Sequence, residues 1–177
     1  NESRNNEYYA RITNLKGNFK EYEVDDMGSL TIEKDWVKGE LETNAIEISL
    51  IKNKLTSINA PNAESIYCSD NINLTSIDAP NLKSIFSDRN NSLSSLNIPN
   101  VKYIECNYTE LTTLDVPSAK KVGCSFNKLT HINAPNAENV GCTNTSLKTL
   151  ELPNAKEVHC SENDNLISLV APNAKDV

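Results

Sequence analysis

The stretch NAPNAESIYCSDN, residues 59–71, decides the fold, because its order of residue types returns further along the chain. The returns are NAPNAENVGCTNT at residues 133–145 and ELPNAKEVHCSEN at residues 151–163. Recurrence at a fixed spacing is the sequence signature of a repeated structural unit that buries its apolar face against its neighbours. The chain is therefore best interpreted as an array of stacked units.

The repeat can be aligned by its own residues, taking each unit to start at the leucine that follows the asparagine-rich bend. Seven starts result: Leu55, Leu74, Leu93, Leu111, Leu129, Leu147 and Leu166. Successive starts are 18 or 19 residues apart, all seven prolines occupy one position of the unit, and all five cysteines occupy another. This segregation of two residue types into single positions is the strongest evidence for the repeat.

Each unit has two apolar halves separated by a Pro-Asn turn. Ile58 and Ala60 in the first half, and Ile66 and Cys68 in the second, are two residues apart, which is the side-chain period of a β-strand. Proline presets φ for a turn but cannot donate a hydrogen bond to a strand ladder. The pattern predicts a short or irregular strand in the first half and a better strand, paired in parallel with its neighbours, in the second.

A second bend follows the second strand and carries an amide or hydroxyl side chain in every unit. The residues at this corner position are Asn53, Asn71, Asn90, Thr109, Asn127, Thr145 and Asn163. Short amides at a bend can satisfy backbone groups that leave the ladder. We expect these side chains to bond to the backbone of their own and adjacent coils. The alternative, an Asn/Asp cation site, fits less well because the neighbouring acidic residues vary between coils.

This pattern resembles the leucine-rich repeat, whose core is L-x-x-L-x-L-x-x-N-x-L. Ala63, Ile66, Cys68, Asn71 and Leu74 lie near those offsets, with one extra residue before the last. The short unit with proline on its return side is most similar to bacterial surface and secreted members. The resemblance covers roughly residues 45–177 and implies a mostly β, right-handed leucine-rich-repeat solenoid with parallel strands, two short faces per coil and little helix.

Two departures qualify the resemblance. The first position of the core is usually alanine, and 18–19 residues are fewer than the family's usual repeat, so a convex helix has no room. A left-handed hexapeptide β-helix is the rival fold, since it also uses 18 residues per coil. It needs an aliphatic residue every six positions on three flat faces, whereas the spacing here describes two faces.

Residues 1–44 lie outside the repeat and are rich in aromatic residues and glycine. Open solenoid ends expose apolar side chains and strand edges, so we expect this segment to be a β-rich N-terminal cap. Its polar start fits a mature or trimmed product. The chain stops at Val177, in the middle of a unit, so we expect the array to have been cut from a longer one or its end to be covered by another molecule.

Charge and composition limit the classes of partner that the protein is expected to bind. The net charge is −7 with both signs interspersed, and the sequence shows no basic stripe, so nucleic acid and anionic membranes are poor partners. Only 38% of residues are apolar, and no long apolar run predicts a membrane span in this chain.

The sequence also argues against catalysis. His131 and His159 fall on opposite halves of the unit, so no Ser-His or Cys-His pair is proposed, and no glycine-rich phosphate loop appears. A single inward column of cysteines packs as small hydrophobic groups and does not provide the convergence that a metal site requires. We expect five free thiols, no metal, no cofactor and no enzymatic activity.

The candidate ligand-binding face follows from the resemblance, because ligands of leucine-rich repeats often dock on the side chains that point out of the second strand. Its candidate residues are Tyr67, Phe86, Tyr103, Glu105 and Tyr108. Exposed aromatics often anchor interfaces, although aromatics also suit strand surfaces. The leading hypothesis is a non-catalytic module that binds a protein partner outside the cell or at its surface. The alternatives are a glycan-binding surface protein and a structural spacer or adhesin stalk.

Overall fold

The computed structural model describes residues 7–177, which form a β-solenoid of about eight turns with a period of about 18 residues. These residues contain eighteen strands and no helix, and therefore no helix that could cross a membrane. The first nine strands are β1 (Ala10–Thr13), β2 (Phe19–Tyr22), β3 (Ser29–Glu33), β4 (Gly39–Thr43), β5 (Glu47–Ile51), β6 (Leu55–Asn59), β7 (Ser65–Ser69), β8 (Ser76–Asp78) and β9 (Ser84–Phe86). The remaining nine are β10 (Ser95–Asn97), β11 (Tyr103–Glu105), β12 (Thr113–Asp115), β13 (Lys121–Gly123), β14 (His131–Asn133), β15 (Asn139–Gly141), β16 (Thr149–Glu151), β17 (Glu157–His159) and β18 (Ser168–Val170).

Each full coil contributes one strand to each of two opposing sides. The odd-numbered strands from β3 to β17 form one continuous eight-stranded sheet, called the long sheet, in which all neighbours are parallel. The opposite side is divided into a six-stranded sheet and the pairs β12–β14 and β16–β18. The mostly β fold with parallel strands and two faces is thus confirmed, and it differs from the three flat faces of a hexapeptide helix.

The core is a narrow strip of inward side chains between the two sides of the solenoid, and each coil contributes one layer of it. Ile66, Ile85 and Ile104 occupy one inward column of the long sheet in register, and the unit-start leucines Leu55 and Leu74 occupy another column and are fully buried. Each layer buries small and branched side chains against the layers above and below, which explains how a chain of low apolar content folds.

The parallel ladders begin within the segment predicted as a cap. Strand β3 pairs with β5 and strand β4 with β6, both in parallel. Strands β1 and β2 form an antiparallel hairpin, and β1 also pairs antiparallel with β4, so the hairpin extends the six-stranded sheet at this end, whereas the long sheet ends at β3. The division of the chain at residue 44 stays a prediction, and residues 1–6 of that segment lie outside the described residues.

Two local features anchor the hairpin. At Gly39, a Cβ would overlap the backbone carbonyl of Thr13, so only glycine permits β4 to approach β1 this closely. The Tyr22 hydroxyl donates a 2.6 Å hydrogen bond to Asp35 Oδ2, and Lys20 Nζ lies 3.1 Å from the same oxygen. Burial, assisted by this bond, raises the pKa of the Tyr22 phenol.

The bend after each strand of the long sheet has the same backbone conformation in every coil. One residue in each of these eight bends has a left-handed φ between +52° and +59°, and none of the eight is glycine; from Lys52 onward it is the residue before the corner position. These residues are Lys34, Lys52, Asp70, Arg89, Tyr108, Phe126, Asn144 and Glu162. Left-handed φ costs a non-glycine residue roughly 1–2 kcal/mol, so the stacked coils must hold the bend against this preference.

The corner side chains link adjacent coils where the bend is long. Asn71 Oδ1 accepts a 2.9 Å hydrogen bond from the Asn53 backbone N–H, and Asn90 Oδ1 accepts one of 2.9 Å from the Asn71 N–H. Each amide also donates back: Asn71 Nδ2 bonds to the Leu50 carbonyl at 3.0 Å. Asn163 repeats the arrangement by accepting a 2.8 Å bond from the Thr145 N–H. The corner amides therefore satisfy buried backbone groups of two coils.

From the unit that starts at Leu55 onward, coil length decides whether this link forms; Asn53, which precedes the first unit, also reaches the preceding coil, with Nδ2 2.9 Å from the Ile32 carbonyl. In the 19-residue coils the backbone carbonyl of the corner residue accepts the N–H of the next unit-start leucine, as in the 3.0 Å bond from Leu74 to Asn71, and the side chain is free to face the adjacent coil. In the 18-residue coils, which end just before Leu111, Leu129 and Leu147, the N–H of that leucine instead bonds to the corner side chain. The hydrogen bonds between adjacent corner residues are interrupted there. Asn107 and Ser125, in the neighbouring column, link the coils instead, with Asn107 Oδ1 accepting a hydrogen bond from the Ser125 N–H at 2.8 Å.

We predict that Asn71→Ala costs about 2–4 kcal/mol of stability, because it removes bonds to buried backbone groups of two coils. Asn127→Ala should cost about half as much, since Asn127 is half-buried and its side chain bonds only within its own coil, to the Cys124 carbonyl and the Leu129 N–H. Urea unfolding of the two variants measures the difference. Asn100→Ala, an exposed amide with one bond at the opposite corner, is the control. Equal losses in all three proteins would contradict the role of the corner amides.

The cysteines form an inward column of the long sheet, with Ser87 in the same position of its coil. All five are free thiols; Cys68, Cys106, Cys124 and Cys142 are buried, and Cys160 is partly exposed. Burial raises the pKa of Cys68 to about 11 and those of Cys106 and Cys142 to about 12. Burial also raises the pKa of Cys124 well above its usual value. These four buried thiols are therefore neutral and poorly reactive at physiological pH.

This burial predicts an alkaline loss of stability. An unfolded thiol ionises at a pKa of about 8.5, whereas the buried thiols ionise only at higher pH, so unfolding releases protons between these values. Stability is fully present below about pH 8.5 and falls as pH rises toward the raised pKa, by about 1.4 kcal/mol per pH unit for each buried thiol. Unfolding free energies at about pH 8 and pH 10 should show a shallower fall for Cys124→Ala than for the wild-type protein. The half-buried Ser125→Ala variant, which removes no titratable group, should keep the wild-type slope; an unchanged slope in Cys124→Ala would contradict this account.

Candidate functional site

The outward side chains of the long sheet stand in two straight columns, as the repeat register predicts. The first outer column comprises Glu47, Ser65, Ser84, Tyr103, Lys121, Asn139 and Glu157. The second outer column comprises Ser49, Tyr67, Phe86, Glu105, Gly123, Gly141 and His159. Because parallel neighbours lie about 4.8 Å apart, each column brings residues that are 18 or 19 positions apart in sequence into contact.

Tyr67 and Phe86 form a stacked pair on adjacent strands. Their ring centroids are 5.1 Å apart and the ring planes differ by 5°. Tyr67 is 43% exposed, and Phe86 is partly buried between Tyr67 and the next strand. Two aromatic rings held in register by a rigid sheet present an apolar surface whose conformation is already ordered, which lowers the entropy cost of binding.

A shallow cavity of about 330 Å³ lies beside this pair. Four of the five predicted residues line it, namely Tyr67, Phe86, Tyr103 and Glu105. Lys121 also lines the cavity and was missed in the sequence, although it follows Tyr103 in the first outer column. We call these five residues the aromatic cavity. It combines aromatic faces, two phenol hydroxyls, a carboxylate and an ammonium group, a set suited to recognition by stacking and hydrogen bonding.

The fifth predicted residue, Tyr108, lies elsewhere. It occupies the left-handed position of its bend and stacks on Phe126, the equivalent residue of the next coil, with centroids 4.6 Å apart. In the same column, Arg89 bonds to Asp70 with an Nε–Oδ1 distance of 2.9 Å. The hydrogen bond from Arg89 lowers the pKa of the Asp70 carboxyl. The left-handed residues of the bends thus form a separate column along the solenoid, in which an ion pair is followed by an aromatic pair.

Between Glu105 and His159 the second outer column has no side chains, because Gly123 and Gly141 occupy these positions. Neither glycine has a left-handed φ, and a Cβ at Gly141 would meet nothing within 4 Å. At Gly123 the nearest atom to a Cβ would be Glu105 Cγ at 3.4 Å, an ordinary contact. Glycine in a strand costs stability, and a larger residue would fit at both positions. Packing within this chain therefore does not explain the two glycines, which leave the strand backbone exposed. They form a bare trough that continues from the aromatic cavity.

The outward face of the long sheet carries aromatic, charged and amide groups. Within residues 7–177, no cluster of three or more His, Cys, Asp or Glu side chains is placed to hold a metal ion. The histidines stand on opposite sides of the solenoid, His131 in β14 and His159 in β17. No protein-family model matches the chain, and no curated protein shows significant sequence similarity to it. The proposal for function therefore depends on the geometry of these surfaces.

The open trough gives a stability prediction. Gly141→Thr should raise the free energy of unfolding by about 0.5–1 kcal/mol, because threonine favours strands and its Cβ has space. Thermal melting measures the change. Gly39→Thr provides the opposite control, since its Cβ would overlap the Thr13 carbonyl and the variant should be strongly destabilised. A destabilised Gly141→Thr protein would show that this glycine has a structural role.

Proposed function

We propose that the protein is a non-catalytic interaction module of the leucine-rich-repeat type, which binds a protein partner outside the cell or at its surface through the aromatic cavity. The observation that supports the proposal most directly is the half-exposed Tyr67–Phe86 stack beside an open cavity. Aromatic residues held in a preformed pocket are the usual anchors of protein interfaces.

The neighbouring trough supports a macromolecular partner in particular. A partner segment with one side chain packed on Tyr67 and Phe86 would extend over Gly123 and Gly141, where the strand backbone is exposed. Close approach of another backbone is one reason for glycine in a strand. The combination of an anchor and an open approach suits a partner larger than the cavity itself.

The family assignment is part of the proposal. The 18–19-residue period, the unit-start leucines and the corner asparagines that bond to buried backbone support a leucine-rich repeat. Ligand docking on the outer columns of the long sheet is carried over from that resemblance, which is an argument by analogy. Bacterial origin and surface location rest on the same resemblance.

A glycan is the second candidate ligand for the same cavity. Tyr103 is 58% exposed beside Glu105 and Lys121, and such a ring can stack on a sugar while the charged groups bond to its hydroxyls. A structural spacer is the third candidate, and it requires neither ligand.

The test compares two aromatic pairs of the same solenoid. Tyr67→Ala with Phe86→Ala removes the cavity anchor, whereas Tyr108→Asn with Phe126→Asn removes the stacked pair at the bends and keeps a residue that tolerates left-handed φ. Partners captured from a surface-protein extract by the wild-type protein should lose affinity about 30-fold or more for the first variant, as for a hot spot worth about 2 kcal/mol. The second variant should keep them.

Melting curves of both variants establish that the fold is intact. Equal binding by both variants, or equal loss, would refute the aromatic cavity as the anchor. A glycan-array signal lost in Tyr67→Ala, with no protein partner, would support the glycan candidate. A wild-type protein with neither ligand would support the spacer.

A further inference from the structure

A row of lysines runs along the Pro-Asn corner, on a surface separate from the aromatic cavity. One residue per coil, at the position that follows the buried residue after the Pro-Asn turn, makes up this lysine row. Its members are Glu64, Lys83, Lys102, Lys120, Glu138, Lys156 and Lys175. Five of the seven positions are therefore basic in a chain whose net charge is −7. The row is a local reversal of the charge of the whole protein.

The backbone holds this row in register. The N–H of Lys102 donates to the Lys83 carbonyl at 2.7 Å, and the N–H of Lys120 donates to the Lys102 carbonyl at 2.8 Å. The same bond continues through Glu138 and Lys156 to Lys175. Consecutive members are thus one strand spacing apart, about 4.8 Å, and their side chains leave the coil at equal intervals.

A second row of polar groups runs beside the lysines. In five coils the asparagine of the Pro-Asn turn donates from Nδ2 to the proline carbonyl of the preceding coil, at 2.8–2.9 Å. These asparagines are Asn81, Asn100, Asn136, Asn154 and Asn173. The bond fixes each amide, while its oxygen and its second N–H lie outside that bond and can serve a ligand.

The two rows enclose an open groove of about 530 Å³ near the C-terminal coils. Lys120, Lys156 and Lys175 line one side, and Asn136 and Asn154 belong to the other. Glu138 also lines the groove, and its Oε1 lies 4.0 Å from Lys156 Nζ. The groove therefore combines spaced ammonium groups with fixed amides, and one carboxylate interrupts the positive charge.

We propose that this groove binds a linear acidic polysaccharide. Such a polymer carries many carboxylate or sulfate groups along one line, and these can pair with the ammonium groups of Lys120, Lys156 and Lys175, which also lie along one line. The amides complement the sugar hydroxyls, which both donate and accept hydrogen bonds. A ligand of this chemistry uses every type of group that the two rows provide.

The groove is less suited to single-stranded nucleic acid. Proteins that bind single strands stack the bases on aromatic side chains. The aromatic residues of the repeats, such as Tyr67 and Phe126, lie in the strands of the long sheet or in the bends after them, and none lines the groove. The groove therefore offers charge and amides without a stacking platform.

The experiment measures the affinity of the intact chain for heparin oligosaccharide and for oligogalacturonate at about 50 mM salt, where surface charges are weakly screened. These two probes separate sulfate from carboxylate recognition. A single-stranded oligodeoxynucleotide of equal charge and neutral dextran are the comparison ligands. We expect at least one of the acidic polysaccharides to bind more tightly than the oligonucleotide, and dextran not to bind.

Variants then assign the binding to the groove. Lys120→Gln with Lys156→Gln should weaken polysaccharide binding roughly tenfold to thirtyfold, since each lysine near an anionic surface contributes a few-fold. Lys128→Gln with Lys148→Gln is the matched control, because it removes the same charge from exposed lysines outside the row and also includes one lysine of an ion pair, Lys128–Glu110. Glu138→Gln removes the interrupting carboxylate and should tighten binding a few-fold.

Several results would overturn the proposal. These are an absence of binding by either acidic polysaccharide, an equal loss in the row variant and its control, and no gain in Glu138→Gln. Tighter, row-dependent binding of the oligonucleotide would assign the groove to nucleic acid instead. Tyr67→Ala with Phe86→Ala should leave polysaccharide binding unchanged, so this test is independent of the proposed protein-binding function.

Discussion

The structure depends on one constraint: every 18–19 residues the chain must turn twice and return in register, without leaving buried backbone groups unpaired at the turns. Parallel bonds satisfy the strands, but the bends have left-handed residues and N–H groups that point away from the ladder. Corner amides such as Asn71 and Asn90 accept hydrogen bonds from those N–H groups through Oδ1. Through Nδ2 they donate hydrogen bonds to carbonyls of the previous coil. Without them, each coil would lose several kcal/mol through unsatisfied buried groups.

Because the coils stack in register, surface chemistry is organised in columns. The members of a column are 18 or 19 positions apart in the sequence, so comparing residues that are close in sequence does not reveal the column. The stacked pair Tyr67–Phe86, the bare positions Gly123 and Gly141, and the ion pair Asp70–Arg89 all arise in this way. A substitution in one coil therefore changes one step of a column and leaves the fold of the other coils intact.

The two proposed binding surfaces occupy different parts of the coil. The aromatic cavity lies on the long sheet, whereas the lysine row lies at the Pro-Asn corner that precedes each of its strands. The two cavities share no lining residue, although Lys120 of the groove and Lys121 of the aromatic cavity are neighbours in the chain. A rigid solenoid suits such an arrangement, because both surfaces are already ordered before binding and their mutual geometry is set by the strand spacing.

The sequence by itself determined the period, the two strands per coil, the inward cysteine column and the outward residues, because proline, asparagine and cysteine each occupy one position of the repeat. It also identified four of the five residues of the aromatic cavity. Only the tertiary structure decided that Tyr108 stacks on Phe126 instead, that the ladders begin at β3, and that coil length switches the corner side chain between its own coil and the preceding one. The lysine row was missed for the same reason: a charge scan along the chain sees interspersed signs, whereas hydrogen bonding between coils places residues 18–19 apart side by side.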